Sequence, residues 1–426
     1  MTLDILTLSR RSVAAATDAA AMVEEIARSF MDTLAVAHAG RNEPVLRKLA
    51  ALYGAEPAMP EHQALFNATA AHALDYDDLQ FASVTHVSAV IVPALIAAAH
   101  AAPSWPQPRA MASAYLAGLD TARQVGTALG PAHYAAGWHA TSTLGPLAAA
   151  SAVARLWQLP LDQTRDALAL ATCQASGTQR SFGSMAKPLQ AGLAASAGLR
   201  AAAWARQGIS GPEHPFGAGG FETLYGGRHD SSPAPDDAPF LVDVGRKAYP
   251  CCYCAQRLVA AALSLRQQLQ GVEGGIAPQA VRNVTIHAQE GTLLPLRITQ
   301  PRDGNEAKFC ADYVVAAALL DGGVGLRHFE AASLQRADLA ALRGRIRVLQ
   351  HGPRAGSIED GVVWAQCELA DGRVLQGAEI KYFPGSTQAP LTEAQLEAKL
   401  LDCHGGNDGA VQALKHTVRR WLGLSA

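Results

Sequence analysis

The chain of 426 residues carries 35 lysines and arginines against 37 aspartates and glutamates, a formal net charge of −2. This balance argues against a nucleic-acid-binding protein, which normally presents a basic face to the phosphates. Hydrophobic residues make up 49% of the chain and charged residues 17%, so the chain can fill the cores of two or three domains and is not disordered.

The first residues and the cysteines bear on cellular location. Asp4 interrupts the apolar stretch at the start and the arginines follow it, which is the reverse of a secretory signal. The longest apolar run, residues 87–99, contains Pro93 and is shorter than the roughly 20 residues of a membrane-spanning helix. Seven cysteines in so long a chain do not form a disulfide scaffold. We therefore predict a cytoplasmic protein with reduced cysteines and no membrane partner.

Ala- and Leu-rich stretches separated by glycine or proline cover residues 17–241 and predict helices there. One stretch ends at Gly40 and another ends before Pro160, and both residue types terminate helices. At residues 231–238 the composition changes to SSPAPDDA, which is typical of a loop. This loop is the first predicted domain boundary.

Beyond this loop, short alternating runs indicate strands. Runs of this kind begin at Val281, Arg345 and Val362. The third run is followed by Asp371-Gly372, a turn signal that favours a β-hairpin with the next residues. The region therefore predicts an α+β unit rather than a continuation of the helices.

Helical spacing returns at residues 311–320, between the first two strands, and again near the end of the chain. There Thr392 and Gln395 form a predicted capping box. The order helical, α+β, helical indicates one domain inserted into another. We predict a mainly α fold, in which a large all-helical domain contains an inserted α+β domain, with the boundaries 1–245, 246–388 and 389–426.

The first segment with candidate chemistry reads HALDYDD at residues 72–78, and Thr85, His86 and Ser88 follow it at the start of an apolar helix. Free N–H groups at a helix start favour an anion, so His86 is well placed to hold or protonate a carboxylate. Alternatively, Thr85 or Ser88 only caps the helix and His86 is structural. A Mg²⁺ site on the aspartates is a weaker alternative, because no phosphate-binding loop or second acidic set accompanies them.

Two further segments place polar residues at predicted helix starts. His139, in GWHATSTLGP, precedes an Ala-rich helix and is either a site histidine or part of a capped loop. Lys187 precedes Pro188, which suits the first turn of a helix, so the lysine charge opposes the helix dipole. This position indicates an anion near Lys187, with an exposed, solvated lysine as the alternative.

The fourth segment, RKAYPCCYCAQ at residues 246–256, contains a C-x-x-C pair, Cys251 and Cys254. No second pair completes a zinc site, so a metal or redox role is not favoured. The glycine-rich residues 217–227 form neither a dinucleotide fingerprint nor a P-loop, and no G-x-S-x-G elbow is present. We therefore predict no metal and no cofactor. The remaining histidines, lysines and carboxylates suit general acid/base chemistry on a polyanion.

Taken in order, these segments resemble the 2-methylcitrate dehydratase family, also called MmgE/PrpD. The resemblance is carried by HALDYDD with THVSAVIVPALIAAA, GWHATSTLGPLAAA, QASGTQRSFGSMAKPLQAG, KAYPCC and YFPGSTQAPLTEAQLEAKL, and it runs from about Ala27 to Cys403. The family includes 2-methylcitrate dehydratase, cis-aconitate decarboxylase and iminodisuccinate epimerase. The resemblance implies that the α+β domain is a lid, with the active site in the cleft beneath it. It also implies a homodimer and catalysis without an obligatory metal.

The resemblance implies four catalytic residues. His86 and His139 are expected to be the acid/base pair, and Asp77 to orient or polarise one of them. Tyr313, in FCADYVVAA, is expected to donate a proton or a hydrogen bond. Each of these roles is a hypothesis that depends on the side chains meeting in one cleft.

The substrate is expected to bind through its carboxylates. Lys187 and Lys247 are the expected clamp, with Thr85 and Gln256 as further contacts. Because the two lysines belong to different predicted domains, substrate charge would help to close the lid. Members of the family often carry a histidine a few residues after the KxYP motif, where this chain has Gln256. Glutamine cannot exchange a proton near neutral pH, which weakens the case for ordinary dehydration.

The sequence therefore predicts a cofactor-free enzyme that acts next to a carboxylate on a small di- or tricarboxylate. The leading reaction is dehydration by a lyase similar to 2-methylcitrate dehydratase. Alternatives are an isomerase similar to iminodisuccinate epimerase and an enzyme similar to cis-aconitate decarboxylase. A non-catalytic polycarboxylate-binding protein is the alternative outside the enzymes, but holding an anion needs only the lysines and not a pair of histidines.

Overall fold

The computed structural model of the chain describes residues 3–14, 19–226, 243–269, 280–355 and 359–425. Within these ranges the protein is mainly helical, as the sequence predicts. The predicted boundary loop at residues 231–238 lies outside the described residues. None of the described helices is long and apolar enough to cross a lipid bilayer.

The helices of the first part pack closely because alanine and glycine dominate their contact faces. At Gly198 a Cβ atom would lie 2.4 Å from the Cβ of Ala149, so only glycine allows these two helices to approach so closely. The helices of this part are α1 (Ile5–Ala14), α2 (Ala19–Gly40), α3 (Pro44–Tyr53), α4 (Pro60–Ala73), α5 (Val87–His100), α6 (Pro108–Ala135), α7 (Ala140–Leu156), α8 (Leu161–Thr172), α9 (Ala186–Arg206) and α10 (Phe221–Leu224).

A four-stranded sheet with helices forms the second part. Its strand order is β4-β3-β5-β6, with β3 and β4 parallel and the other neighbouring pairs antiparallel. The predicted hairpin through Asp371-Gly372 joins β5 and β6, and Gly372 has a φ of +88°, which favours glycine. The elements are α11 (Gln256–Leu269), β3 (Val281–Gln289), α12 (Gly304–Ala307), α13 (Ala311–Asp321), α14 (Ala331–Leu334), α15 (Ala337–Arg343), β4 (Ile346–His351), β5 (Val363–Leu369) and β6 (Val374–Gln376).

The last two helices, α16 (Glu393–Cys403) and α17 (Asp408–Trp421), return to the first part. The predicted capping box of Thr392 and Gln395 begins α16. Residues of both helices belong to the same hydrophobic core as α2, α5 and α6, whereas described residues between Cys251 and Leu369 form a separate core. Lys399 of α16 donates a hydrogen bond to the carbonyl oxygen of Tyr76 at 2.7 Å, so the C-terminal part supports the loop after α4.

The two chain segments that connect these cores cross each other. A short antiparallel pair, β1 (Leu79–Gln80) with β2 (Val244–Gly245), precedes the first crossing into the second core. The returning chain passes at Gly385, where a Cβ atom would lie 1.8 Å from the carbonyl oxygen of Arg246. This crossing holds the segment that begins at Arg246 against the loop after α4.

Candidate active site

The loop after α4 places a carboxylate between two histidines. His72 lies in the last turn of α4, and its Nδ1 is 2.6 Å from Oδ2 of Asp77. Nδ1 of His86, at the start of α5, lies 3.2 Å from the same oxygen. Burial alone would raise the pKa of Asp77, but His72 and His86 outweigh it and hold that pKa well below its usual value. Asp77 is therefore an ionised partner of both rings.

A lysine determines which nitrogen of His72 carries the proton. Nζ of Lys187 lies 3.0 Å from Nε2 of His72, and an ammonium group can only donate. Nε2 therefore accepts, and the Nδ1–H of His72 donates to Asp77. Burial, opposed by Asp77 and reinforced by Lys187, lowers the pKa of His72 to about 4. His72 is neutral near pH 7 and links the lysine to the carboxylate.

Asp75 brings the two predicted lysines together. Its Oδ1 accepts from Lys187 at 3.0 Å and from Lys247 at 2.7 Å, and its carbonyl oxygen accepts from Lys247 at 2.7 Å. Burial alone would raise the pKa of Asp75, but the lysines hold it well below its usual value. Burial would likewise lower the pKa of Lys247, but Asp75 and Asp77 raise it. The anion predicted near Lys187 is thus the carboxylate of Asp75.

His139 presents a free ring nitrogen at the start of α7. Its Nδ1 lies 2.6 Å from Oε1 of Gln190, an acceptor, so Nδ1 carries the proton. Its buried Nε2 has no hydrogen-bond partner among the residues that the structure describes. Burial, together with His72 and Lys187, lowers the pKa of His139 well below its usual value. His139 is therefore a neutral imidazole with an available lone pair.

Asp75, His86, His139 and Lys187 line one small cavity between the two cores, called the acid cavity below. The remaining space is about 30 Å³, and a water molecule needs about 10–15 Å³ by this measure. The backbone N–H of His86 donates to Oγ1 of Thr141 at 3.1 Å, which connects the first two sequence segments. The acid cavity is lined by Asp75, Leu79, Val84, His86, Tyr134, His139, Thr141, Phe182, Lys187, Cys252, Tyr253, Cys254, Pro295 and Phe309.

Four side chains of the cluster are close enough to share a metal ion. One donor atom each from His72, Asp75, Asp77 and His86 lies within 4.8 Å of the others. Nε2 of His72 and Oδ1 of Asp75 both accept hydrogen bonds from the ammonium group of Lys187. The ammonium group of Lys187 thus occupies the place where a metal ion would contact His72 and Asp75.

Two known family patterns together match most of the chain. The sequence pattern of the MmgE/PrpD N-terminal domain matches residues 10–232, and that of the MmgE/PrpD C-terminal domain matches residues 249–421. The chain belongs to the MmgE/PrpD family. The family match covers both cores, and the acid cavity lies between them.

Individual relatives carry a more specific name. The chain is 25% identical over 355 residues to cis-aconitate decarboxylase of Mus musculus, covering 80% of this chain and 71% of the relative. It is 25% identical over 359 residues to cis-aconitate decarboxylase of Homo sapiens, and this match covers 80% of this chain and 72% of the relative. It is 32% identical over 175 residues to cis-aconitate decarboxylase-like protein oryM of Aspergillus oryzae, and this match covers 39% of this chain and 36% of the relative. At these identities the family is shared and the reaction is a separate question.

The structure brings most of the predicted site residues together. His86, His139 and Lys187 line the acid cavity, while Asp77 and Lys247 contact its lining from behind. Thr85 lies elsewhere, and its hydroxyl donates to the carbonyl oxygen of Ser83 at 3.1 Å. Thr85 shapes the loop before α5, and the hydroxyl residue that lines the cavity near His139 is Thr141.

Gln256, the first residue of α11, is buried against the loop that carries Lys247 and does not line the acid cavity. Its Nε2 donates to the carbonyl oxygens of Tyr249 at 2.9 Å and Cys251 at 3.2 Å, and its Oε1 accepts from the N–H of Tyr249 at 3.2 Å. The amide therefore holds the loop backbone in place. The predicted contact between Gln256 and substrate is not formed by the side chain in this position.

Tyr313 lies in the core of the second part rather than at the cavity. Its hydroxyl donates to the carbonyl oxygen of His328, and its ring packs near Phe329. The tyrosines that line the acid cavity are Tyr134 and Tyr253. The hydroxyl oxygen of Tyr253 has no hydrogen-bond partner among the described residues, so it is free to contact a bound molecule.

Lys308 is a site residue that no sequence motif marked. It is 3% exposed, and its Nζ has only long contacts, 3.3 Å to the carbonyl oxygen of Ala73 and 3.4 Å to Oδ1 of Asn305. Burial lowers the pKa of Lys308. With Lys187 and Asn305 it lines a small recess next to the acid cavity. This buried ammonium group forms no ion pair with a carboxylate of the described residues.

Asp78 supports the start of α5 behind the cavity. Its carboxylate accepts from the N–H of Ser88 at 3.3 Å and from the Ser88 hydroxyl, which also lies 2.6 Å from the hydroxyl of Tyr115. Complete burial raises the pKa of Asp78 to about 7. The cap of this helix start is thus Asp78, rather than Thr85 or Ser88 acting alone.

The raised pKa of Asp78 predicts a pH-dependent stability. An unfolded aspartate ionises near pH 4 whereas folded Asp78 ionises near pH 7, so this group makes folding less favourable as the pH rises through that window. Asp78→Asn removes the penalty and keeps an acceptor for Ser88. We expect its melting temperature to exceed that of the wild type by more at pH 8 than at pH 5. Asp162→Asn, an exposed change, is the control, and an equal difference at both pH values contradicts the prediction.

Proposed function

We propose that the protein is a lyase that transfers a proton at a carbon next to a carboxylate of a small di- or tricarboxylate. The observation that carries the proposal is that His139, whose Nε2 has no hydrogen-bond partner among the described residues, lines the same cavity as His86 and Lys187. A neutral imidazole in this position can accept or return a proton. The nearby ammonium groups supply the charge that attracts a polyanion.

The three lysines near the acid cavity differ in the carboxylates that they bind. Lys187 and Lys247 share the internal carboxylate of Asp75, so together they contribute less net charge than two free lysines. Lys308 adds an ammonium group without such a partner and lies beside Lys187. We assign one substrate carboxylate to Lys308 and Lys187. An anion there also raises the pKa of His139, because it stabilises the imidazolium form.

Decarboxylation of an acid of the cis-aconitate type is the leading reaction. In that reaction CO₂ leaves and the electrons of the broken C–C bond remain on the substrate. A substrate carbon then takes a proton from His139, which becomes protonated when the bound substrate raises its pKa. The relatives that match about 80% of the chain are named for this activity.

Dehydration and epimerisation remain predictions of the sequence. Dehydration of a 2-methylcitrate-like acid and inversion of an iminodisuccinate-like acid both begin with removal of a proton next to a carboxylate. The same groups in the acid cavity suit each of the three alternative reactions. We also keep as proposals the division into a helical domain and a lid at residues 246–388, the homodimer and the cytoplasmic location.

A product screen tests the proposed function. The full-length protein is incubated in D₂O with cis-aconitate, citrate, 2-methylcitrate and iminodisuccinate, and NMR reads CO₂ loss, water loss, inversion and deuterium at carbon. We expect cis-aconitate to lose CO₂ and to gain one deuterium. Product from 2-methylcitrate alone supports the dehydratase, and inversion of iminodisuccinate supports the epimerase. If no acid reacts or exchanges, the chain is a non-catalytic polycarboxylate-binding protein and the proposal is wrong.

A further inference from the structure

A second, larger cavity adjoins the acid cavity on the side away from the lysines. Its volume is about 430 Å³, against about 30 Å³ for the acid cavity. Both cavities are lined by Val84, Tyr134, Cys254 and Pro295, so they meet at these four side chains. We refer to the larger one as the apolar cavity.

The walls of the apolar cavity are predominantly hydrocarbon. The helix α6 kinks at Gly130, where φ is +62°, and its last turn then brings Tyr134 and Ala135 to the cavity. Leu294, from the second part of the chain, also lines it and is 42% exposed. The charged lining residue among those that the structure describes is Arg354, which is exposed. Water in such a space finds few polar partners.

The charged lining residues differ among three spaces that share part of their linings. The recess at Lys308 shares Asp75, Lys187 and Phe309 with the acid cavity, which contains the histidines. The apolar cavity follows on the far side. A molecule that spans all three spaces has carboxylates at one end, its reacting carbon in the middle and a hydrocarbon group at the other end.

Burying hydrocarbon there contributes binding energy. Each methylene removed from water contributes roughly a fourfold gain in affinity, which is the fold-change that corresponds to about 0.8 kcal/mol. An unsubstituted small acid leaves these walls in contact with water. We infer that the apolar cavity binds a linear alkyl substituent on the di- or tricarboxylate, so that an alkyl-substituted acid binds more tightly than the unsubstituted one. This inference rests on the proposed function, because it needs the carboxylates at the lysines.

A series of inert acids tests the inference by binding alone. Calorimetry on the full-length protein compares succinate, butylsuccinate and hexylsuccinate. We expect the affinity to rise about fourfold with each methylene. Equal affinities for the three acids overturn the inference and leave the proposed function standing. If none of the three binds, the carboxylate site at the lysines is wrong, and the inference falls with the proposed function.

A variant that fills the apolar cavity tests whether the alkyl group of the ligand binds there. Ala135→Trp places an indole in the apolar cavity, and Ala132→Trp changes an exposed alanine in the same turn that does not line it. For Ala135→Trp we expect hexylsuccinate to bind at least tenfold more weakly while succinate binds as to the wild type. Ala132→Trp should match the wild type for both acids. Unchanged hexylsuccinate binding in Ala135→Trp, or an equal loss for both acids, overturns the inference.

Discussion

Replacing His139 by alanine is expected to lower kcat about 100- to 10,000-fold, the usual contribution of a positioned acid or base. The Nδ1–H of His139 donates to Gln190, which leaves Nε2 without a partner among the described residues, on a side chain that lines the acid cavity. Alanine removes the only atom in that position that can exchange a proton with substrate. The measurement is the turnover of whichever acid the product screen identifies, at saturating substrate.

Two comparisons make this result specific to proton transfer. His416→Ala changes an exposed histidine on α17 and should retain wild-type kcat. Gln190→Leu keeps the imidazole but removes the acceptor that sets its tautomer, so kcat should fall by less than in His139→Ala and its pH profile should shift. A His139→Ala protein that keeps near-normal kcat and a wild-type melting temperature removes His139 from the mechanism.

The helices of the site follow from the sequence because local signals determine them. Ala-rich, mainly apolar stretches follow His86 and His139, and polar residues of the motifs lie in the loops before these stretches. Both histidines therefore lie at helix starts, at α5 and α7, as predicted. Such signals act within a few residues, so periodicity and capping rules are sufficient to read them.

The pairing of Asp75 with the lysines does not follow from local signals. Lys187 is 112 residues and Lys247 is 172 residues from Asp75 along the chain. The sequence indicated an anion near Lys187 but did not identify it as Asp75. Lys308 was missed for a related reason, because only the packing of the second core over α4 buries it. A motif identifies a residue type, whereas its electrostatic partner depends on the fold.

Tyr313 shows why the direction of a side chain is harder to predict than its segment. It lies in α13, a helix predicted correctly, but α13 is buried among α11, α15 and β4. Its hydroxyl therefore reaches the carbonyl oxygen of His328. Tyr134 and Tyr253 reach the cavity instead, one from the kinked end of α6 and the other from the loop after Lys247.

Replacing Lys247 by methionine is expected to destabilise the protein by about 3 kcal/mol, near the lower end of the range for a broken buried ion pair. Lys247 is 0% exposed and donates to Asp75 twice, through the carboxylate and the carbonyl oxygen. Methionine fills a similar volume but leaves Asp75 with Lys187 alone. Urea denaturation measures the change, and Lys48→Met on the exposed side of α3 is the matched control that should differ little from the wild type.

The double variant Asp75→Asn/Lys247→Met separates the charge from the packing. Asn tolerates the left-handed backbone of Asp75, whose φ is +53°, so the substitution changes the charge without a new backbone cost. Asp75→Asn alone leaves Lys187 and Lys247 facing each other without a carboxylate between them. Removing both charges of the pair should therefore cost less than the sum of the single changes, by about 0.5–3 kcal/mol. Strict additivity of the two losses contradicts the pairing, and it would return both lysines to the role of free clamps for the substrate.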